Sequence, residues 1–148
     1  MVKEANQAEI FPTLTKEQVG RIAPFAREKT FADGAILWDR GVRNNPMFVV
    51  VTGEIAILSG EDQLVTVHRP GAFSGDVDLL SGRPTVVKGK AQGVTRALEL
   101  GQDHLRRLVQ TDAELSEIFL RAFMLRRCAL MSREIGRASC RERVSDTV

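Results

Sequence analysis

Short runs of β-branched and aromatic residues alternate with single glycines through the middle of the chain. Nine glycines fall between Gly34 and Gly93, and short strands separated by glycine turns are typical of a β-sandwich or barrel. In this block Ile55 and Ile57 fall on one face, which is the two-residue period of a half-buried strand. The pattern predicts seven strands, at 29–31, 35–38, 47–52, 54–59, 64–69, 85–91 and 95–100.

A helical pattern precedes the β-rich block. Thr15 and Gln18 have the spacing of a capping box, in which each side chain accepts a hydrogen bond from the other residue's backbone. Pro24 disfavours helical geometry at the residue before it. We therefore predict a short helix that begins after Thr15 and ends near Ile22.

Two helices are predicted after the block. Asp103 is expected to cap a short helix that runs to Leu108, and the spacing of Thr111 and Glu114 predicts a capping box that opens a long helix ending near Ser132. Apolar side chains recur on one stripe of the long helix, and two interpretations stay open: packing against the β block, or a homodimer seam. The stripe consists of Leu115, Ile118, Phe119, Ala122, Leu125 and Ala129.

The length and the charge distribution of the chain limit the classes of protein to which it can belong. The chain has 148 residues and a net charge of +2, which suits one domain. Residues 121–148 hold seven basic and three acidic side chains, so residues 1–120 carry 14 basic against 16 acidic. Arg126 and Arg127 are expected on a solvated face, and no nucleic-acid binding is expected. We assign residues 1–134 to the domain and 135–148 to a disordered or vector-derived tail.

Neither a membrane span nor an enzyme site is predicted. No apolar run approaches the length that crosses a bilayer, and the polar N-terminus resembles no signal peptide, so we expect a cytoplasmic domain. The two histidines are expected on a strand (His68, partly exposed) and in a first helical turn (His104), too few and too separate for a metal or a nucleophile–base pair. Cys128 and Cys140 are predicted to be free thiols.

The stretch from Pro70 to Val87 is the candidate binding segment. If Gly75-Asp76-Val77 opens a helical turn, its unpaired backbone N–H groups form a cradle for an anion such as phosphate. The Asp76 carboxylate is then able to accept from a ribose hydroxyl, and Arg83 to neutralise phosphate charge. On the residues alone, an ordinary turn at Asp76 and a solvated Arg83 are the more common explanations.

The order of these motifs resembles the cyclic nucleotide-binding domain family. The resemblance runs from about Phe11 to Ser132, through Phe31-Ala32-Asp33-Gly34 and Gly53-Glu54-Ile55 to Pro70-Gly71-Ala72-Phe73-Ser74-Gly75-Asp76. It implies a mainly β, α+β fold: an eight-stranded β-roll (a jelly roll, or double-stranded β-helix) with an N-terminal helix and a long C-terminal helix. It places a phosphate-binding cassette at 73–87, with ligand contacts from Phe73, Ser74, Gly75, Asp76, Val77, Arg83, Thr85 and Val86.

Two positions depart from the family pattern. Asp76 stands where the family has a glutamate, one methylene longer, and Thr85 stands where the family has its phosphate-binding arginine. Arg83, Lys88 and Lys90 are the nearby cations that are able to replace that charge.

The resemblance implies a regulatory sensor and not an enzyme. The expected ligand is cyclic AMP or cyclic GMP, or another small phosphorylated metabolite, with the base facing the long helix. Movement of that helix would signal to a C-terminal effector domain or a dimer partner. Residues 76–84 and 108–118 further resemble a bacterial subgroup fused to a thioredoxin-reductase-like flavoprotein. The alternative is a degenerate pocket without a nucleotide, in a domain that serves for interaction or dimerisation.

Overall fold

A computed structural model describes residues 11–74 and 84–134, with side chains described up to Cys128. Three α-helices surround an antiparallel sheet of six strands within these residues. The elements are α1 (Lys16–Ile22), a short 3-10 helix (Ala23–Phe25), β1 (Arg27–Phe31), β2 (Ile36–Trp38), β3 (Met47–Leu58), β4 (Leu64–His68), β5 (Phe73–Ser74), β6 (Lys88–Leu100), α2 (Gln102–Thr111) and α3 (Ala113–Glu134).

The sheet is organised around two long strands. Its order is β1-β6-β3-β4, while β2 also pairs with β6 and β5 with β3. Each long strand takes in two of the predicted strands: β3 continues through Gly53 and β6 through Gly93, both glycines having positive φ angles. Counted in this way the sheet holds the seven predicted segments together with β5, so the mainly β fold with flanking helices is confirmed.

Gly53 lies where the register between β3 and β6 shifts while the two strands stay paired. Its φ is +83°, and the β3–β6 register shifts between Val50 and Thr52 and again between Thr52 and Glu54. A Cβ atom at this position would lie 2.6 Å from the carbonyl oxygen of Val94 and from the hydroxyl of Thr95. Only glycine satisfies both the left-handed backbone and this close approach of β6.

Two apolar clusters fill the fold. The inner cluster lies within the roll, where the Trp38 ring stacks on Phe48 at 5.8 Å; its buried members are Trp38, Phe48, Val50, Ile55, Ile57 and Ala97. The outer cluster packs the helices on the other side of the sheet and includes Val49, Phe73, Leu105, Leu108, Leu115, Phe119 and Ala122. The predicted stripe of α3 therefore packs against the roll through Leu115, Phe119 and Ala122, while Ala129 lies outside the described side chains.

Two predicted helix starts are wrong. Gly101 occupies the N-cap of α2, and Asp103 lies inside its first turn. Thr111 ends α2, where its hydroxyl donates to the Arg107 carbonyl at 2.7 Å, and the Asp112 side chain caps α3 by accepting from the Leu115 N–H at 3.1 Å. The capping box at Thr15 is confirmed, with both reciprocal hydrogen bonds present.

An ion-pair cluster ties α1 to the start of α3. The Arg21 guanidinium donates to both Asp112 carboxylate oxygens, at 2.8 and 3.2 Å. It also donates to Glu114 at 2.5 Å and to Glu17 at 3.1 Å. These contacts with Arg21 lower the pKa values of Asp112 and Glu114. The two helices are thereby joined across 91 residues of sequence.

No helix among the described residues is long and apolar enough to cross a membrane.

Candidate functional site

The candidate binding segment leaves the sheet at β5. Phe73 and Ser74 pair with Val49 and Phe48 of β3, and both side chains are buried. Gly75, Asp76, Val77 and Arg83 lie in the stretch 75–83, outside the described residues. The structure therefore describes the two ends of the segment, up to Ser74 and from Pro84 onward.

The segment returns at Thr85, which is held by the loop before β3. Its N–H donates to the Val42 carbonyl at 3.1 Å, and its carbonyl accepts from the Gly41 N–H at 2.7 Å. Its buried hydroxyl donates to the Asp39 carbonyl at 2.5 Å. A hydroxyl has one proton, so this bond leaves Thr85 only acceptor capacity, which does not suit a phosphate oxygen. The neighbouring Val86 is exposed.

The lysines after the segment differ in their surroundings. The Lys88 ammonium lies 3.1 Å from the Asp62 carboxylate in the β3–β4 hairpin, and Arg40 lies 3.0 Å from the same oxygen. Hydrogen bonds from Lys88 and then Arg40 lower the pKa of Asp62. Lys90 is exposed on β6. Lys88 is thus ion-paired with the β3–β4 hairpin, and of the two lysines Lys90 is the one that faces solvent.

The start of the segment contacts the long helix directly. The Phe73 ring meets the Phe119 ring of α3 edge to face, with centroids 4.9 Å apart. About two turns further along α3, the Arg126 guanidinium lies 4.6 Å from the centroid of Phe73 and 4.9 Å from that of Phe11. Both planar contacts are favourable. A shift of the Phe73 ring would therefore change its packing against α3.

Arg126 corrects the sequence prediction for this region. We expected it on a solvated face, yet it is only 7% exposed. Arg126 is covered because Phe11 and Phe73 bracket its guanidinium, while the neighbouring Arg127 is half-buried. The signal in the sequence is helical spacing, because Arg126 lies seven residues after Phe119 and four after Ala122 on the buried stripe of α3, whereas Arg127 lies off that stripe.

His68 also differs from expectation, because it is buried at 5% exposure and not partly exposed. Its ring lies 5.7 Å from that of Phe11. Burial, and secondarily the charge of Arg126, lower its pKa to about 3, so the imidazole is neutral. The signal in the sequence is the hairpin register, which sets His68 opposite the inner residue Ile55.

His104 is exposed in the first turn of α2, as predicted, and no group of three or more His, Cys, Asp or Glu side chains in the described parts of the chain is placed to hold a metal ion.

The comparison with family models decides the identification. The model of the cyclic nucleotide-binding domain matches residues 28–112, from β1 through α2. The chain belongs to the cyclic nucleotide-binding domain family. The matched region contains the whole sheet, both ends of the candidate segment and His68.

Members of this family with similar sequences occur in several kinds of regulatory protein. The chain is 28% identical over 123 residues to a cyclic nucleotide-gated potassium channel of Mesorhizobium japonicum, covering 83% of this chain and 34% of the channel. It is 25% identical over 100 residues to a cAMP-dependent protein kinase regulatory subunit of Hypocrea atroviridis, covering 68% of this chain and 21% of the subunit. The chain thus spans about a third of the length of the channel and about a fifth of that of the regulatory subunit.

Two solved structures share the fold of this chain. One, described with a cyclic-GMP-dependent signalling pathway that regulates bacterial phytopathogenesis, is 35% identical with a TM-score of 0.70, over 77% of this chain and 94% of that one. The catabolite activator protein of Thermus thermophilus has a TM-score of 0.64 at 16% identity, over 93% of this chain and 63% of that one. One sequence relative is a channel gated by cyclic nucleotides and another is a kinase regulatory subunit, which supports a regulatory sensing role for the family.

Proposed function

We propose that this chain is a ligand-sensing regulatory domain that binds a cyclic nucleotide at residues 73–87 and signals by moving α3. The phosphate would lie on backbone N–H groups of residues 74–77, with the Asp76 carboxylate accepting from the ribose hydroxyl. The domain itself binds and does not catalyse. An effector, whether an attached domain such as the flavoprotein of the resembling subgroup or a second copy, would detect the movement.

The contact between Phe73 and Phe119 carries this proposal. Phe73 is the residue at which the binding segment leaves the sheet, and its ring packs on the helix that would transmit the signal. A ligand that favours one position of the segment changes the packing available to α3. Differential packing of this kind is what lets a ligand shift a two-state equilibrium.

Thr85 supports the second hypothesis, a degenerate pocket in an interaction domain. The family arginine is absent there, and the Thr85 hydroxyl donates to Asp39. A charge-assisted hydrogen bond to phosphate contributes about 1.5–3 kcal/mol, so its loss weakens binding by roughly ten- to a hundredfold. Arg83 or Lys90 must replace the charge if the domain is to bind its ligand tightly.

Isothermal titration calorimetry of the chain separates the two hypotheses. Cyclic AMP, cyclic GMP and a cyclic dinucleotide would be titrated into the wild type, D76A and a matched control, D103A, which removes an exposed carboxylate from α2. We expect saturable binding of a cyclic nucleotide that D76A loses and D103A keeps. No heat up to millimolar nucleotide would contradict the proposal and favour the degenerate pocket, whereas equal binding by D76A would show that the nucleotide binds without the proposed Asp76–ribose contact.

A further inference from the structure

The Ser74 hydroxyl is a buried polar group without a hydrogen-bond partner. Ser74 ends β5 and is 3% exposed, and its Oγ atom makes no hydrogen bond within the described part of the chain. Native proteins satisfy nearly all buried polar atoms, because an unpaired one costs free energy. The hydroxyl is therefore free to bind a group that the described residues do not supply.

The strand register directs this hydroxyl into the roll. Ser74 stands directly opposite Phe48 on β3, and opposed residues in antiparallel strands share a face. Phe48 belongs to the inner cluster. The neighbouring Phe73 points the other way, toward Phe119 of α3. The Ser74 hydroxyl therefore faces the interior at the point where the candidate segment leaves the sheet.

The far end of the segment meets the same part of the interior. The Trp38 indole N–H donates to the Val87 carbonyl at 2.9 Å, at the end of the segment. The Trp38 ring also stacks on Phe48, the residue that Ser74 opposes. The Trp38–Phe48 stack thus connects the two described ends of the segment. A ligand bound between these ends would meet the Ser74 hydroxyl on its inner side.

The other buried polar side chains leave Ser74 as the available donor inside the roll. The hydroxyls of Thr85 and Thr95 donate to backbone carbonyls, at 2.5 and 3.0 Å, and a hydroxyl has only one proton. His68 and Arg126 are also buried, but they lie beside each other on the helix side of the sheet. Among the buried polar side chains that the structure describes, Ser74 alone combines an inward position with an uncommitted proton.

We infer that the Ser74 hydroxyl donates a hydrogen bond to a phosphate oxygen of the ligand. The inference rests on the proposed function, in which the phosphate lies on backbone N–H groups that begin at Ser74, so the side chain of the same residue adjoins that anion. A phosphate oxygen only accepts, which suits a hydroxyl whose proton is uncommitted. Ser74 thereby adds a neutral donor to a site in which Thr85 stands in place of the family arginine.

Calorimetry of the full chain with matched variants tests this bond. Cyclic AMP or cyclic GMP, whichever the wild type binds, would be titrated into S74A and into S116A, which removes a hydroxyl from α3. We expect S74A to bind about three- to tenfold more weakly, the effect of one neutral hydrogen bond, and S116A to bind like the wild type. Full-strength binding by S74A would overturn the inference and keep the proposed function, whereas no binding by the wild type would reject both.

The two phosphorothioate diastereomers of that nucleotide identify the accepting atom. Each carries sulfur in place of one exocyclic phosphate oxygen, and sulfur is the weaker acceptor. S74A should weaken the binding of one diastereomer as much as that of the parent nucleotide, and leave the affinity for the other nearly unchanged. Equal weakening of all three ligands would place the hydroxyl on the ribose or the base and would overturn the phosphate assignment.

Urea unfolding separates a lost ligand contact from a damaged fold. Because the Ser74 hydroxyl has no partner among the described residues, S74A should unfold at the same or a higher urea concentration than the wild type. A clear loss of stability in S74A would show that the hydroxyl is bonded within the protein, and that result would also overturn the inference.

Discussion

At the residue scale, the buried His68 imidazole links the stability of the fold to pH. Its pKa is lowered to about 3 in the folded chain, against an ordinary value of 6.5. Between these values the unfolded chain binds a proton that the folded chain does not, so stability is full above pH 6.5 and falls as the pH drops toward 3. The loss amounts to at most about 1.4 kcal/mol per pH unit.

We expect H68L to remove this pH dependence. Urea unfolding at pH 7.0 and pH 5.0 would show a smaller free energy of unfolding at the lower pH for the wild type and for H104L. H68L should lose less over the same interval, because leucine takes up no proton in either state. The interval stays above the range where most carboxylates titrate. Parallel losses in all three proteins would show that the His68 ring is accessible to protons when folded.

Gly53 and Gly93 form a second residue-scale comparison, since both have positive φ angles of 83° and 74°. G53A adds a Cβ within 2.6 Å of β6 atoms, whereas G93A adds one with nothing within 4 Å. The left-handed backbone alone costs about 1–2 kcal/mol for an L residue, so G93A should be destabilised by roughly that amount. Thermal unfolding should show a clearly larger loss of stability for G53A than for G93A. Equal losses would mean that β6 moves away from the added Cβ atom without loss of stability.

At the element scale, α3 has a face packed against the roll and an exposed face, and two adjacent residues represent them. Phe119 is 1% exposed and Leu120 is 51% exposed. Truncation of a buried phenylalanine costs about 3–5 kcal/mol, so F119A should lower the free energy of unfolding by roughly that amount. L120A, one residue along, should change it by no more than about 0.5 kcal/mol. Chemical denaturation measures both, and a large loss for L120A would indicate that a partner covers that face.

The elements also show what a sequence alone can predict. Alternation of apolar and polar residues and glycine turns predict that strands exist, and all seven predicted strand segments, including those around Trp38, Ile55 and Leu98, lie in the sheet. The ends of the elements were harder to predict. β3 and β6 continue through Gly53 and Gly93. The side chain that caps α3 belongs to Asp112 and not to Thr111, which precedes it and is also a common capping residue. Phe11 also covers His68 and Arg126, and this contact was not predicted because Phe11 lies far from both residues in the sequence.

At the scale of the whole molecule, two separate sets of contacts hold α3. Its start is tied to α1 through Arg21 and Asp112, and its middle packs on the candidate segment through Phe119 and Phe73. The first contact lies far from the segment in sequence, while the second adjoins it. A ligand at residues 73–87 would therefore act on the middle of α3 while the ion pairs hold its first turn, which favours a pivot of the helix about its start.

Cys128 is placed to report this pivot, because it is exposed on α3 two residues beyond Arg126. In a C140S background a fluorophore on Cys128 should change its emission when cyclic nucleotide saturates the domain, as the helix surface around it moves. D76A should abolish the change by abolishing binding. F119L keeps an apolar side chain but loses the ring contact with Phe73, so it should reduce the change in emission more than the affinity measured by calorimetry. Binding by the wild type with a silent probe at Cys128 would show instead that α3 stays fixed, and the signal would then have to leave the domain through another surface.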